Sequence, residues 1–122
     1  MASFSNRSKK RLLTCDGRLQ KILFDAISVM DFTILCGHRG EVEQNKAFEG
    51  GNSNAKWLES KHNYLPSKAV DIAPWPIDWN DTESFARLVG VVQGIAFKHG
   101  VTIRCGMDFT SIKDYPHIEL VL

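Results

Sequence analysis

The sequence predicts an α+β domain in which a small antiparallel sheet packs against two or three helices. Short β-prone runs alternate with amphipathic helical segments over 122 residues, a length usual for one domain. Hydrophobic residues make up 43% of the chain, enough for one buried core without disulfides. We therefore expect a single domain over residues 1–122 that begins with a flexible basic terminus over residues 1–10.

The first predicted helix follows Asp16, a residue type that favours helix N-termini. Its apolar positions recur at helical spacing and are Leu19, Ile22, Leu23, Ala26 and Ile27. Residues 32–36 form a β-prone run that ends at a Gly-His-Arg-Gly sequence over residues 37–40. We expect a strand there, followed by a polar turn.

The middle of the chain alternates a short helix with a buried strand. Residues 41–48 favour the helix, which a Gly-Gly pair ends, and residues 60–66 are irregular by composition. Residues 69–73 form a compact apolar run that contains Asp71 and precedes two prolines, so they predict a strand. A carboxylate inside a buried strand needs a charged partner or a metal.

The longest predicted helix begins at Asn80, whose spacing from Glu83 matches a capping box. Its apolar stripe consists of Phe85, Leu88, Val92, Ile95 and Ala96. Gly100 ends the helix, and residues 101–104 and 118–122 predict two more strands joined by a polar loop.

Composition argues against several classes of function. Lys and Arg total 15 against 14 Asp and Glu, and this net charge of +1 gives no reason to expect a nucleic-acid partner. The three cysteines have no CxxC spacing, which disfavours a disulfide framework and a thiolate zinc cage. Neither a signal peptide nor a run long enough for stable membrane insertion is apparent. We expect a monomer.

Four polar residues in two clusters suggest a metal site. His62 and Asp71 lie nine residues apart, and Asp114 and His117 lie three apart near the end of the chain. Two imidazoles and a carboxylate can hold zinc and leave one position for water, while a second acid handles protons. Spacing alone also allows a surface role for a loop histidine and a simple turn at Asp114.

Two stretches of sequence carry the residues that point to a family. Ser60, His62, Ala69 and Asp71 follow one another in that order, and residues 114–119 read Asp-Tyr-Pro-His-Ile-Glu. They resemble the two motifs of the M15 zinc peptidases, Ser-x-His-x-x-Gly-x-Ala-x-Asp and an acid followed after two residues by His-x-Glu. That family includes D-alanyl-D-alanine carboxypeptidases and the L-alanyl-D-glutamate endolysins of tailed phages.

Two further segments extend the resemblance over nearly the whole chain. Residues 37–39, followed by Gln44, are similar to the family's Gly-x-Arg segment with its downstream Gln. Residues 106–109 are similar to its Gly-Gly-Asp-Trp stretch, with Phe109 in place of the tryptophan. The resemblance implies the fold shared by hedgehog domains and DD-peptidases.

Carried over position by position, the resemblance assigns roles to the polar residues. It implies that His62, Asp71 and His117 bind Zn²⁺ and that Asp114 is the catalytic acid and base. It also implies that Arg39 stabilises the carbonyl oxygen as negative charge develops, a task suited to a permanently charged guanidinium. A surface ion pair is the alternative for Arg39.

The residues expected to contact substrate or support the site are Ser60, Gln44, Asp108, Phe109 and Glu119. Ser60 would form hydrogen bonds near the substrate or a ligand, although a loop turn is the alternative. Glu119 lies on the same strand face as His117 and could orient an imidazole, or could simply face solvent.

The chain departs from the family pattern between the first two expected ligands. The nine-residue separation of His62 and Asp71 is longer than usual, and a Leu-Pro-Ser stretch over residues 65–67 replaces the internal glycine. A longer loop is tolerable because closure costs little per added residue. The shape of the substrate groove is expected to differ.

Asp114 favours an endolysin, since the resemblance implies Asp there in L-alanyl-D-glutamate enzymes and Glu in D-alanyl-D-alanine enzymes. The lack of an export signal suits a protein made in the cytoplasm of an infected bacterium and released to the cell wall through a holin. We therefore expect a zinc-dependent peptidoglycan peptidase that cleaves the stem peptide between L-Ala and D-Glu during host lysis. The alternatives are a D-Ala-D-Ala carboxypeptidase and a zinc-binding recognition module without catalysis.

Overall fold

The computed structural model describes residues 2–53, 55–109 and 114–121. The elements run in the order α1 (Asn6–Leu12), α2 (Gly17–Ala26), β1 (Phe32–Cys36), α3 (Glu41–Glu49), β2 (Ala69–Pro74), α4 (Thr82–Lys98), β3 (Ile103–Cys105) and β4 (His117–Leu120). The α+β class is confirmed, with four helices in the described part of the chain. None of these helices is long and apolar enough to cross a membrane.

The four strands form one antiparallel sheet in the order β1-β2-β4-β3. Asp71 on β2 lies opposite His117 on β4, and Glu119 on β4 lies opposite Arg104 on β3. Residues directly opposite each other point to the same face of a sheet, and so do residues two apart on one strand. These four polar side chains therefore share one face.

The other face of the sheet is apolar and packs against helices. Its fully buried side chains include Ile34, Val70, Ile72, Ile118 and Leu120. They join one core with buried residues of α1, α2 and α4, and burying each large aliphatic side chain contributes about 1.5–3 kcal/mol. The helices are thus held on one side of the sheet, which leaves the polar face open for chemistry.

The expectation of a flexible basic terminus is wrong for Asn6–Leu12, which forms α1. Ser5 caps this helix by accepting a hydrogen bond from the Ser8 backbone N–H at 3.1 Å. The buried Ser8 hydroxyl accepts from the Ile34 backbone N–H at 3.0 Å, and Leu12 is fully buried. Basic residues dominate the sequence between Ser8 and Leu12, so these two buried positions do not produce a recognisable helical pattern.

The capping box expected at Asn80 and Glu83 is also wrong. Asp81 is the N-cap of α4, and its side chain caps the first turn. The helix ends before Gly100, whose φ of +70° lies in the left-handed region that favours glycine after a helix. The remaining predicted elements match the observed ones to within a few residues.

Candidate metal centre and active site

His62 is held by a single 3-10 turn, Lys61–Asn63, which Ser60 caps. The Ser60 hydroxyl accepts a hydrogen bond from the His62 backbone N–H at 3.2 Å. The His62 backbone carbonyl accepts one from the Arg39 backbone N–H at 2.8 Å. Only 3% of the imidazole is exposed. Nδ1 lies 2.8 Å from the Gly37 carbonyl oxygen, and because a carbonyl can only accept, Nδ1 carries the proton. Nε2 is left facing Asp71.

His117 is oriented in the same way from the opposite strand. Its Nε2 donates to Glu119 Oε1 at 2.8 Å, and Lys61 Nζ holds the other Glu119 oxygen at 2.9 Å. Its Nδ1 lies 3.2 Å from Asp71 Oδ1, the same separation as between His62 Nε2 and that oxygen. Both imidazoles thus have one nitrogen fixed by an outer acceptor and the other aimed at one carboxylate, as is usual for histidine ligands of metals.

The longer loop between His62 and Asp71 does not separate them. The additional residues carry Ser67 toward the turn after α1, where its backbone N–H donates to the Thr14 carbonyl at 2.8 Å. The buried Ser67 hydroxyl donates to the Ala69 carbonyl at 2.6 Å and lies 3.3 Å from the Gly37 carbonyl oxygen, which accepts from His62. The longer His62–Asp71 segment is therefore accommodated beside the site without separating the two side chains.

Among the described residues, candidate metal donors form two overlapping sets, Cys36-His62-Asp71 and Asp71-Asp114-His117, with the donor atoms of each set within 4.8 Å of one another. Asp71 belongs to both sets and joins the two imidazoles. Tetrahedral zinc with bonds of about 2.1 Å places its donors roughly 3.4 Å apart, close to the 3.2 Å separating Asp71 Oδ1 from each imidazole nitrogen. The donor types and these separations fit zinc.

Burial and charge at this centre favour a bound cation. Burial opposes protonation of His62, but hydrogen bonds with Asp71 and Cys36 outweigh it and raise the pKa of His62 to about 10. Burial likewise opposes ionisation of Asp71, yet the two imidazoles hold the pKa of that carboxyl well below its usual range. The pKa of His117 is raised, because Asp71 and Glu119 outweigh its burial. The surroundings therefore stabilise positive charge at this point.

Cys36 is a neighbour of the centre that sequence reasoning missed. A β-bulge after Ile34 brings Cys36 opposite Asp71 in the sheet. Burial raises the pKa of its thiol, but His62 and the Arg39 guanidinium outweigh this and lower it. The lack of CxxC spacing gave no sign of this thiol, because a bulge is not visible in composition or periodicity.

Asp114 lies at the exposed rim beside the two imidazoles. Its backbone N–H donates to the Gly106 carbonyl at 2.9 Å. A Cβ added at Gly106 would overlap the Asp114 carbonyl oxygen and approach His117 Cβ to 2.9 Å, so this close packing requires glycine. Partial burial and the charge of Asp71 raise the pKa of Asp114, which brings it closer to the range useful for proton transfer at neutral pH.

Arg39 is fixed beside the centre by Gln44. Its Nη1 donates to Gln44 Oε1 at 3.1 Å, and its Nη2 lies 3.6 Å from Asp71 Oδ2. Gln44 is fully buried and also accepts from Asn63 Nδ2 at 3.1 Å and donates to Ser53 Oγ at 3.0 Å. Gln44 therefore positions Arg39 and does not line the cavity. Asn63, which the sequence did not single out, ties the His62 turn to this network.

The polar face of the sheet opens into a cavity of about 640 Å³. Besides the expected ligands and Asp114, its walls include Ser60, Glu119 and Phe109, whose ring centroid lies 5.7 Å from that of His117. Asp108 lies outside the cavity lining and accepts a hydrogen bond from Gln93 at 3.3 Å. Unlike Ser60, Phe109 and Glu119, Asp108 therefore does not line the cavity.

Comparison with known proteins identifies the fold and the family. The fold is similar to that in the crystal structure of Serratia marcescens L-Ala D-Glu endopeptidase ChiX, with a TM-score of 0.84 and 24% sequence identity, covering 98% of this chain and 91% of that one. Residues 1–121 match the family model described as phage L-alanyl-D-glutamate peptidase. The resemblance read from the motifs is confirmed, and the chain belongs to the phage L-alanyl-D-glutamate peptidase family.

Proposed function

We propose that the chain is a zinc-dependent peptidase that hydrolyses the L-Ala-D-Glu amide bond of the peptidoglycan stem peptide. The observation that carries the proposal is the convergence of two oriented imidazoles on Asp71 beside an accessible acid, Asp114. Family membership supports the choice of bond. We further propose that it acts on the cell wall of an infected bacterium during lysis, after release through a holin.

The proposed ligands are His62, Asp71 and His117. Zinc held there would act as a Lewis acid toward the scissile carbonyl and would lower the pKa of a water molecule toward neutrality. The Gly37 carbonyl and Glu119 keep the two imidazoles in the tautomers that leave one lone pair each for the metal. Because both outer partners are already in place, little reorganisation is needed for binding.

Asp114 is proposed to move the proton during hydrolysis. Its carboxylate accepts a proton from the attacking water and then delivers it to the amide nitrogen as the C–N bond breaks, which leaves L-Ala with a new carboxylate and D-Glu with a free amine. General acid and base catalysis of this kind contributes about 10²–10⁴-fold to the rate. The raised pKa of Asp114 supports both halves of this transfer.

Arg39 is proposed to stabilise the negative charge that develops on the carbonyl oxygen. Gln44 fixes its guanidinium, and the 3.6 Å contact with Asp71 is long enough to leave donor capacity for substrate. Loss of one such donor costs about 10²–10³-fold in kcat in comparable sites.

The test compares zinc content and lytic activity in matched variants. Wild-type protein should reduce the turbidity of permeabilised Gram-negative cells, and a chelator should abolish this activity until zinc is restored. Asp114→Ala should keep zinc but lose at least about 10²-fold in rate, whereas His117→Ala should lose both. His99→Ala, at a surface His–Asp pair outside the cavity, serves as the control. Zinc binding without lysis, or full activity of Asp114→Ala, would contradict the proposal.

A further inference from the structure

The cavity contains a guanidinium that the proposed reaction has not used. Arg39, Lys61 and Arg104 are the cations among its described lining residues. Arg39 lies beside Asp71, and Lys61 bonds to Glu119 at 2.9 Å and to the Leu120 carbonyl at 2.7 Å. No described carboxylate forms a salt bridge with Arg104. Arg104 is therefore the one of these three cations that has no carboxylate partner among the described residues.

The sheet places Arg104 next to the reacting centre. It lies opposite Glu119 in the β3–β4 pair, on the face that carries His117. Its guanidinium carbon lies 4.4 Å from the centroid of the Phe109 ring, and that ring lies 5.7 Å from the His117 ring. Stacking on an aromatic face fixes the plane of a guanidinium and leaves its N–H edge free for hydrogen bonding. The arrangement suits a planar anion a few bonds from the cleaved amide.

The substrate offers such an anion. A D-Glu residue that continues a peptide through one of its carboxyl groups retains the other one free, within a few bonds of the nitrogen released by hydrolysis. Arginine pairs with carboxylates in a bidentate geometry, which adds directional specificity to the attraction of charge. On the basis of the proposed function, we infer that Arg104 binds the free carboxylate of D-Glu and determines the specificity for an acidic residue after the scissile bond.

The consequence is a preference that one substitution removes. Wild-type protein should cleave a synthetic L-Ala-D-Glu-L-Lys peptide with a kcat/KM roughly 10–100-fold above that for the counterpart whose free D-Glu carboxylate is a carboxamide. Arg104→Gln should lower kcat/KM for the carboxylate peptide to the level of the carboxamide peptide, mainly through KM. It should leave the rate for the carboxamide peptide nearly unchanged, because that peptide lacks the carboxylate that Arg104 would bind.

The experiment measures kcat and KM for both peptides with wild type, Arg104→Gln and Arg104→Lys, together with zinc content. Arg87→Gln, which removes an exposed charge of α4 outside the cavity, is the matched control and should keep the wild-type preference. Arg104→Lys should retain part of the preference, since it keeps the positive charge but loses the bidentate hydrogen bonding of the guanidinium.

A preference that survives in Arg104→Gln would overturn the inference and leave the proposed function intact. An equal loss on both peptides would also overturn it, because that pattern indicates a structural role. If wild-type protein cleaved neither peptide, the proposed function would fail and the inference with it.

Discussion

Glu119 offers the sharpest test of how the proposed metal centre is built, because it would act on a bound metal only through His117. Its Oε1 accepts from His117 Nε2 at 2.8 Å, and the bond from His117 holds the pKa of Glu119 at about 2. Only 12% of each side chain is exposed, so water replaces this bond poorly. A charge-assisted bond of this kind contributes about 1.5–3 kcal/mol, which corresponds to roughly 10–100-fold in an equilibrium constant.

Glu119→Ala should therefore weaken zinc binding about 10–100-fold, the range typical for outer partners of histidine ligands. The affinity can be measured by competition with a chromophoric chelator near neutral pH. Glu119→Gln keeps an acceptor but loses the charge and should fall between wild type and Glu119→Ala. Asp25→Ala is the control, since Asp25 forms a similar 2.7 Å pair with His99 away from the cavity. A Glu119→Ala affinity within twofold of wild type would refute this account of His117 orientation.

Three further predictions concern pH, packing and stability. Zinc binding should release protons and weaken as pH falls through neutrality. The pKa of His62 is raised to about 10, so zinc must displace a proton from this imidazole. Titration calorimetry in buffers of different ionisation enthalpy measures the release, and its absence would contradict the prediction. Gly106→Ala should lower kcat sharply by displacing Asp114. Its control is Gly90→Ala, at an exposed helical position with open space around the added Cβ. This variant should preserve activity and raise the free energy of unfolding by about 0.5–1 kcal/mol. Asp16→Asn should destabilise the fold by roughly 1–2 kcal/mol at neutral pH, because asparagine can still cap α2 but loses the charged bonds to Arg18 and Lys68. The Arg18 hydrogen bond lowers the pKa of Asp16, so the stabilisation by Asp16 is present above its unfolded pKa of about 3.9 and fades as pH falls below that value. Urea unfolding of both proteins should therefore show a stability difference at neutral pH that shrinks in acid. A difference that stays constant would contradict this prediction.

The helices and strands that could be predicted from the sequence are those with a wide buried face. In α2 the helical spacing of apolar residues reports burial directly, and Leu19, Ile22 and Leu23 are all fully buried. In α1 only Ser8 and Leu12 are buried, and the surrounding basic residues dominate the composition. Two buried positions, one of them a serine, produce no clear hydrophobic periodicity in the sequence.

The site divides in a similar way. His62, Asp71, Asp114 and His117 could be identified because their flanking residues resemble two family motifs, whereas their spacing alone left other roles open. The structure brings all four to one cavity. The proximity of Cys36 depends on a bulge in β1, which periodicity does not reveal.

The positions of Arg104 and Asp108 depend on strand register and on a local turn. Arg104 reaches the cavity because β3 pairs with β4 in a register that places it opposite Glu119. The family resemblance alone predicts Asp108 near the substrate, whereas the turn that contains it directs its carboxylate to Gln93. Strand register and local turns depend on tertiary packing, so neither position could be assigned from spacing.

Mass spectrometry of the fragments that the zinc-loaded protein releases from purified peptidoglycan sacculi tests the proposed cleavage most directly. Hydrolysis of the L-Ala-D-Glu bond should release peptides that begin with D-Glu and leave glycan strands with L-Ala as a new C-terminus, with neither product formed by Asp114→Ala. Release of free D-Ala, or intact stem peptides after prolonged incubation with zinc, would contradict it.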